Sequence, residues 1–132
     1  MSYIVIDQGT SSTKAFLFSA KGKILHQKKK KYKLKTPKPF HIECDPQIIL
    51  SDVIYLFNEM VTKANNKNIH GLGFAFQRST FLFWEKSTCM PVTPAISWQD
   101  SRATVILDKF KKYEEKIWEI TGAPLSAHFG GP

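Results

Sequence analysis

Hydrophobic positions along this chain fall into short runs whose period changes from strand-like to helical and back. Residues 3–6 are almost continuously apolar and β-prone, which predicts a central strand covered on both faces, and residues 15–18 repeat the pattern. Ala20-Lys21-Gly22-Lys23 separates that second strand from a third starting at Ile24, a spacing that suits a short hairpin with Gly22 at positive φ. Three antiparallel strands therefore open the fold. The third runs into the lysine-rich residues 28–35, and Thr36-Pro37-Lys38-Pro39 ends pairing there, because proline has no N–H to donate.

The period then becomes helical. Ile49, Val53, Leu56, Phe57, Met60, Val61 and Ala64 share one face, Asp45-Pro46 reads as an N-cap with proline at the first helical position, and Asn65-Asn66-Lys67-Asn68 stops the helix. Residues 72–76 and 80–84 return to strand character, so a β-α-β crossover follows the opening hairpins, with a turn over residues 85–91. Gln99-Asp100-Ser101 caps a helix that uses Ala103, Ile106, Leu107 and Phe110. A second helical stretch over residues 113–120 ends at Thr121-Gly122 with a left-handed stop. The closing residues 127–132 bend with no capped element after them, and a further helix is expected to follow.

Composition narrows the classes. With 132 residues, 42% hydrophobic and 13% aromatic, the chain is one globular domain or part of a larger one, and it is too apolar to be disordered. Nineteen Lys and Arg against eleven Asp and Glu give a net charge of +8, which favours phosphate-bearing partners. Lysines at 31, 33 and 35 alternate with Tyr32 and Leu34, a pattern read first as an edge strand guarded by charge and second as nucleic-acid contact. Cys44 and Cys89 lack metal-ligand spacing and suggest no disulfide framework, so a cytoplasmic setting is expected. No apolar run reaches the ~18 residues a membrane span needs, and no membrane partner is expected.

The chemistry concentrates at three places. After the first strand come Asp7, Gly9, the hydroxyls of Thr10, Ser11, Ser12 and Thr13, and Lys14; no glycine motif of the Walker or dinucleotide type occurs. Such a turn can direct backbone N–H groups and hydroxyls onto phosphate oxygens, with Asp7 reaching a divalent cation, Mg²⁺ above all, that separates it from polyphosphate. A hydroxyl-rich hairpin with a capping Asp is equally compatible with the spacing. Gln77-Arg78-Ser79 interrupts two apolar runs, and an amide beside a guanidinium can grip vicinal hydroxyls; a surface turn with an ion pair is the plainer alternative. Trp98 and Asp100 near Arg102 suit a sugar, or else a helix cap with an Asp-Arg pair and a core Trp.

Taken in order, Ile6-Asp7-Gln8-Gly9-Thr10-Ser11-Ser12-Thr13-Lys14, Pro37-Lys38-Pro39, Glu43-Cys44-Asp45-Pro46, Gln77-Arg78, Trp84-Glu85-Lys86, the block at residues 95–102 and Thr121-Gly122 closely resemble the N-terminal region of FGGY-family carbohydrate kinases, nearest the glycerol kinase branch. The likeness runs over essentially the whole chain. It implies an α/β, actin-like, ribonuclease-H-type domain with a mixed five-stranded sheet flanked by helices, residues 1–132 being the N-terminal part of the first of two such domains. It further implies ATP-dependent phosphorylation of a sugar or polyol, with ATP and Mg²⁺ as cofactors.

Carried over position by position, the resemblance gives Asp7 to Mg²⁺ and Gly9, Thr10, Ser11, Ser12, Thr13 and Lys14 to the nucleotide phosphates. Gln77, Arg78, Ser79, Trp98, Asp100, His128 and Phe129 go to the substrate pocket. Ser79 stands where glycerol kinases carry Glu, and His128 where they carry Tyr, so a longer polyol or a sugar is expected in place of glycerol. The general base of the family lies further along the polypeptide, and residues 1–132 alone are not expected to turn over. A non-catalytic actin-like nucleotide-binding module is the competing reading, nucleic acid is the lesser partner, and a homo-oligomer stays open.

Overall fold

The computed structural model describes residues 1–65 and 69–128. They form two compact units, one of Met1–Lys33 with Asp45–Gln77, the other of Leu34–Cys44 with Arg78–Pro132.

The first unit is a sheet with a helix against it. Strands β1 (Ser2–Gln8), β2 (Ser12–Ser19) and β3 (Ile24–Lys31) are antiparallel neighbours, as the opening hairpins require, and Gly22 takes φ 76° between β2 and β3. Helix α1 (Pro46–Lys63) begins at Asp45, whose carboxylate accepts the Gln47 N–H at 2.9 Å, with proline in the first turn. It leads across to a further strand over Ile69–Phe76, which pairs in parallel with β1.

The core lies between α1 and the strands. Ile4, Ile6, Ala15, Leu17, Leu56 and Met60 are buried together, with Val53, Phe57, Val61 and Ala64 packed around them. This is the helical face read from the spacing. Replacing Asp45 by Ala leaves the helix N–H groups to water and is expected to lower stability by about 1 kcal/mol, measured by denaturant unfolding.

The lysines of β3 divide by strand alternation. Lys28 and Lys30 face α1, where Lys28 Nζ lies 3.2 Å from Glu59 and 2.8 Å from the Tyr55 hydroxyl, and Lys30 pairs with Asp52. The Tyr55 hydroxyl, with Glu59 second, holds Lys28 above its ordinary value, and Lys28 in turn draws Glu59 below the usual carboxylate range. The strand is the edge of its sheet, but it ends at Lys31, so the alternating residues 32–35 read as a charge-guarded edge lie beyond it, and Tyr32 is buried.

Three expectations need correction. The main sheet has four strands, in the order β3, β2, β1 and the Ile69–Phe76 strand, in place of five. Residues 80–84 do not join it: Phe81 bridges to Ile96 within the second unit, and only Trp84–Glu85 is extended, paired with Met90–Pro91 in a small hairpin. Coverage of the sheet is also one-sided. Helix α1 packs chiefly on β1, β2 and β3 and its core reaches the last strand at Ile69, while Phe74 and Phe76 further along that strand are exposed, as is Tyr3 on the face of β1 turned away from the helix.

The last strand of the main sheet is β5 (Ile69–Phe76), and the second unit holds β4 (Glu43–Cys44), which precedes α1, with β6 (Trp84–Glu85), β7 (Met90–Pro91) and β8 (Ala95–Ile96); β4 and β8 are antiparallel partners. A 3₁₀ turn at Arg102–Ile106 replaces the start of the expected helix, followed by α2 (Leu107–Phe110) and α3 (Glu114–Thr121). Gly122 closes α3 in the left-handed conformation at φ 65°. Ile106 and Phe110, expected on a buried face, are exposed. The stop at residues 66–68 and the bend at residues 129–132 lie outside the described residues. No helix among the described residues is long and apolar enough to cross a membrane.

Candidate functional site

β1 delivers Asp7 to the carboxyl end of a strand that has a parallel neighbour, the position at which open α/β sheets bind ligands. Asp7 and Lys14 are register partners across the β1–β2 hairpin, so their side chains leave the same face, and Nζ lies 3.1 Å from Oδ2. Both remain more than a third exposed, at 37% and 41%, so the pair is open to a ligand from solvent. The face they occupy is the one opposite α1.

The same alternation separates the hydroxyls. Ser12 shares the Asp7 face, whereas Thr13 pairs with Gln8 on the α1 side and is fully buried, its Oγ1 without a hydrogen-bond partner. Thr10 is half-buried and Ser11 exposed in the turn itself. Gly9 N–H donates to Ser12 O at 3.0 Å, and a Cβ on Gly9 would come within 3.3 Å of that oxygen. The four hydroxyls, alike in spacing, are therefore not one set, because a strand beginning at Ser12 turns successive side chains to opposite faces.

The described residues contain no cluster of three or more His, Cys, Asp or Glu able to hold a metal. A single partly exposed carboxylate still suits Mg²⁺, which commonly takes one or two carboxylates and completes its shell with water and phosphate oxygens. Asp7 fits that donor set.

Gln77 closes the far end of β5. Its backbone N–H donates to Gln8 O at 3.0 Å and its amide nitrogen approaches Gln8 Oε1 at 3.3 Å, while Gln77 Oε1 is buried and unpartnered. Arg78 is exposed, and its guanidinium makes no ion pair among the described residues. Ser79 adopts φ 61°, a conformation costly for a residue with a Cβ and often retained at functional turns.

The segments bearing Ser79 and Trp98 lie side by side. Phe81 and Ile96 exchange backbone hydrogen bonds at 3.1 and 2.8 Å, and Trp98 N–H donates to Thr80 Oγ1 at 3.0 Å. Trp98 is 43% exposed, so it is not the core residue of the plainer alternative.

Asp100 is different. It is 1% exposed, and Arg102 Nε and Nη2 grip its two oxygens at 2.8 and 2.7 Å, while Ile42 N–H donates to Oδ2 at 2.7 Å. Burial would raise this carboxyl, but the bonds from Arg102 and Ile42 hold it below the usual range. Arg102, tied also to Glu43 at 2.6 Å, is raised above its ordinary value, chiefly by Asp100. The Asp-Arg pair anticipated from the sequence is therefore real, and its carboxylate is committed within the chain.

His128 is exposed, its backbone N–H held by Ser126 Oγ at 3.1 Å, and no ion pair or hydrogen bond links its ring to Arg78 or Trp98. Phe129 lies outside the described residues. Glu43, Thr80 and Tyr32 went unnoticed as supports. Only Tyr32 left a sequence signal, an aromatic residue set among lysines.

Residues 2–132 match the N-terminal domain of the FGGY family of carbohydrate kinases. The chain belongs to this family. Among FGGY relatives, the glycerol kinase of Bacillus cereus is 35% identical over 130 residues, covering 96% of this chain and 26% of its own length. The crystal structure of Plasmodium falciparum glycerol kinase with ADP superposes with a TM-score of 0.91 at 29% identity, over 97% of this chain and 26% of that one. The ligand-bound xylulose kinase of Lactobacillus acidophilus gives 0.86 at 25% identity, over 95% and 26%. The chain thus spans about a quarter of the length of these FGGY kinases.

Proposed function

We propose that the full-length protein transfers the γ-phosphoryl group of ATP to a hydroxyl of a sugar or polyol, and that this segment supplies the phosphate turn and part of the substrate pocket. The observation that carries the reading is the Asp7–Lys14 pair flanking a glycine-and-hydroxyl turn at the end of β1, in a chain of the FGGY family. That a relative of this fold was crystallised with ADP supports the nucleotide assignment.

Asp7 holds Mg²⁺, which when bound offsets the charge of the polyphosphate beside the carboxylate. Lys14 balances Asp7 before the nucleotide arrives and turns to the phosphate oxygens afterwards. Gly9, Thr10, Ser11 and Ser12 line the phosphates, with the buried Thr13 supporting the hairpin from below. Phosphoryl transfer depends mainly on positioning and charge stabilisation, which a partial site supplies poorly, so turnover belongs to the full-length polypeptide.

On the substrate side, the planar fork of Arg78 holds paired hydroxyls and Trp98 offers a face to the carbon skeleton. The family resemblance assigns Gln77, Ser79, His128 and Phe129 to the same substrate, and Asp100 acts through Arg102 to fix the turn that carries Trp98. Ser79 is short and uncharged, which leaves room for a substrate larger than glycerol. A screen of polyols and sugars with MgATP is expected to give its highest kcat/KM on a molecule longer than glycerol; glycerol outperforming every larger compound would refute that assignment.

A further inference from the structure

Gly9 is the pivot of the proposed phosphate turn, and a glycine peptide has no side chain to fix its orientation. Around it the first unit builds a polar knot from three separate stretches of chain. Tyr32, 9% exposed just beyond the end of β3, donates its phenol O–H to the Gly9 carbonyl. The Gln8 amide donates to both the Tyr32 hydroxyl and Gly9 O, at 2.8 and 3.0 Å. Gln77 Nε2 approaches the same hydroxyl at 3.4 Å, and Tyr32 N–H donates to Ser11 O at 3.2 Å.

The direction of these bonds matters. With amide donors converging on the phenol oxygen, its single proton is directed to Gly9 O. Because the Gly9–Thr10 peptide is planar and trans, holding the carbonyl on one side turns the Thr10 N–H to the other. The backbone bond from Tyr32 to Ser11 pins the turn a second time, from the same residue.

We propose that Tyr32 is a positioning residue for nucleotide binding: its phenol, with Gln8, sets the Gly9–Thr10 peptide in the orientation the phosphate turn needs. This rests on the kinase reading above. Tyr32 itself is buried and acts through the Gly9 carbonyl.

The test is steady-state kinetics on the full-length protein with Tyr32→Phe, which keeps the ring and its packing and removes only the hydroxyl. The expected result is a rise of about tenfold in the KM for MgATP with the KM for the polyol changed by less than about twofold. A second variant, Tyr32→para-aminophenylalanine, restores a donor at the same place and is expected to bring the nucleotide KM back toward wild type. An unchanged nucleotide KM, or equal rises in both KM values, would overturn the proposal, the second because general loosening does not distinguish the two ligands. Asp7→Asn run in parallel separates the two readings. If that variant loses activity while Tyr32→Phe behaves as wild type, the positioning role fails and the kinase stands; if the wild type shows no nucleotide dependence, both fall.

Discussion

Asp7→Asn in the full-length protein is expected to cut Mg²⁺-dependent phosphoryl transfer by roughly 100-fold or more. The substitution keeps size and hydrogen-bonding capacity and removes the charge that a divalent ion requires. It also releases Lys14, whose ammonium lies 3.1 Å from the carboxylate. Both groups are more than a third exposed, so water screens their attraction and the loss of the pair should change stability by less than about 1 kcal/mol. Activity and stability therefore separate cleanly. The measurement is initial rate against Mg²⁺ concentration, beside a thermal melt of the same preparation. Should the variant keep both its rate and its Mg²⁺ dependence, the turn is not catalytic machinery, and a nucleotide-binding module without chemistry becomes the better account.

Arg102→Met should have the largest effect on stability, about 3 kcal/mol or more, because it strands a buried carboxylate. Asp100 is 1% exposed and takes two of its hydrogen bonds from the guanidinium. Neutralising both partners in Asp100→Asn with Arg102→Met should recover much of that loss, since an amide is far cheaper to bury than an unpaired charge.

The pH dependence has a definite sign. In the wild type the folded carboxyl lies below its usual range, so its contribution is complete at neutral pH and is lost as pH falls below about 4. Without Arg102, burial pushes the carboxyl up, so protonation relieves the variant at higher pH, before the wild-type loss begins. The two unfolding curves should lie furthest apart near neutrality and converge on acidification. A constant separation from pH 7 to pH 3 would show that the loss comes from packing of the arginine stem and not from the stranded charge.

Local patterning made much of the first unit readable in advance. The turn at Gly22, the cap at Asp45 and the apolar stripe of α1 each depend on residues within a few positions of one another, which is the range over which helix and hairpin periodicities act. The family was readable for a related reason: several short blocks recur in a fixed order, and order survives without knowledge of contacts. The Asp-Arg pair at 100 and 102 was legible because its members are close in sequence.

What the chain folds against itself could not be read that way. Residues 80–84 are as apolar as a sheet strand, yet Phe81 makes only an isolated bridge to Ile96, and that distant partner kept it out of the main sheet. Thr13 and Ser12 look alike in sequence, and the pairing of Thr13 with Gln8 and Lys30 sends one hydroxyl into the core and leaves the other on the Asp7 face. Tyr32 read as one more aromatic residue among lysines until its hydroxyl met Gly9, twenty-three positions earlier. Sequence alone thus determined the elements of the first unit and the lineage, because both are written in local order; tertiary structure decided which side chains share the Asp7 face and which brace the turn from within, because strand register and long-range hydrogen bonds exist only after the chain has closed on itself.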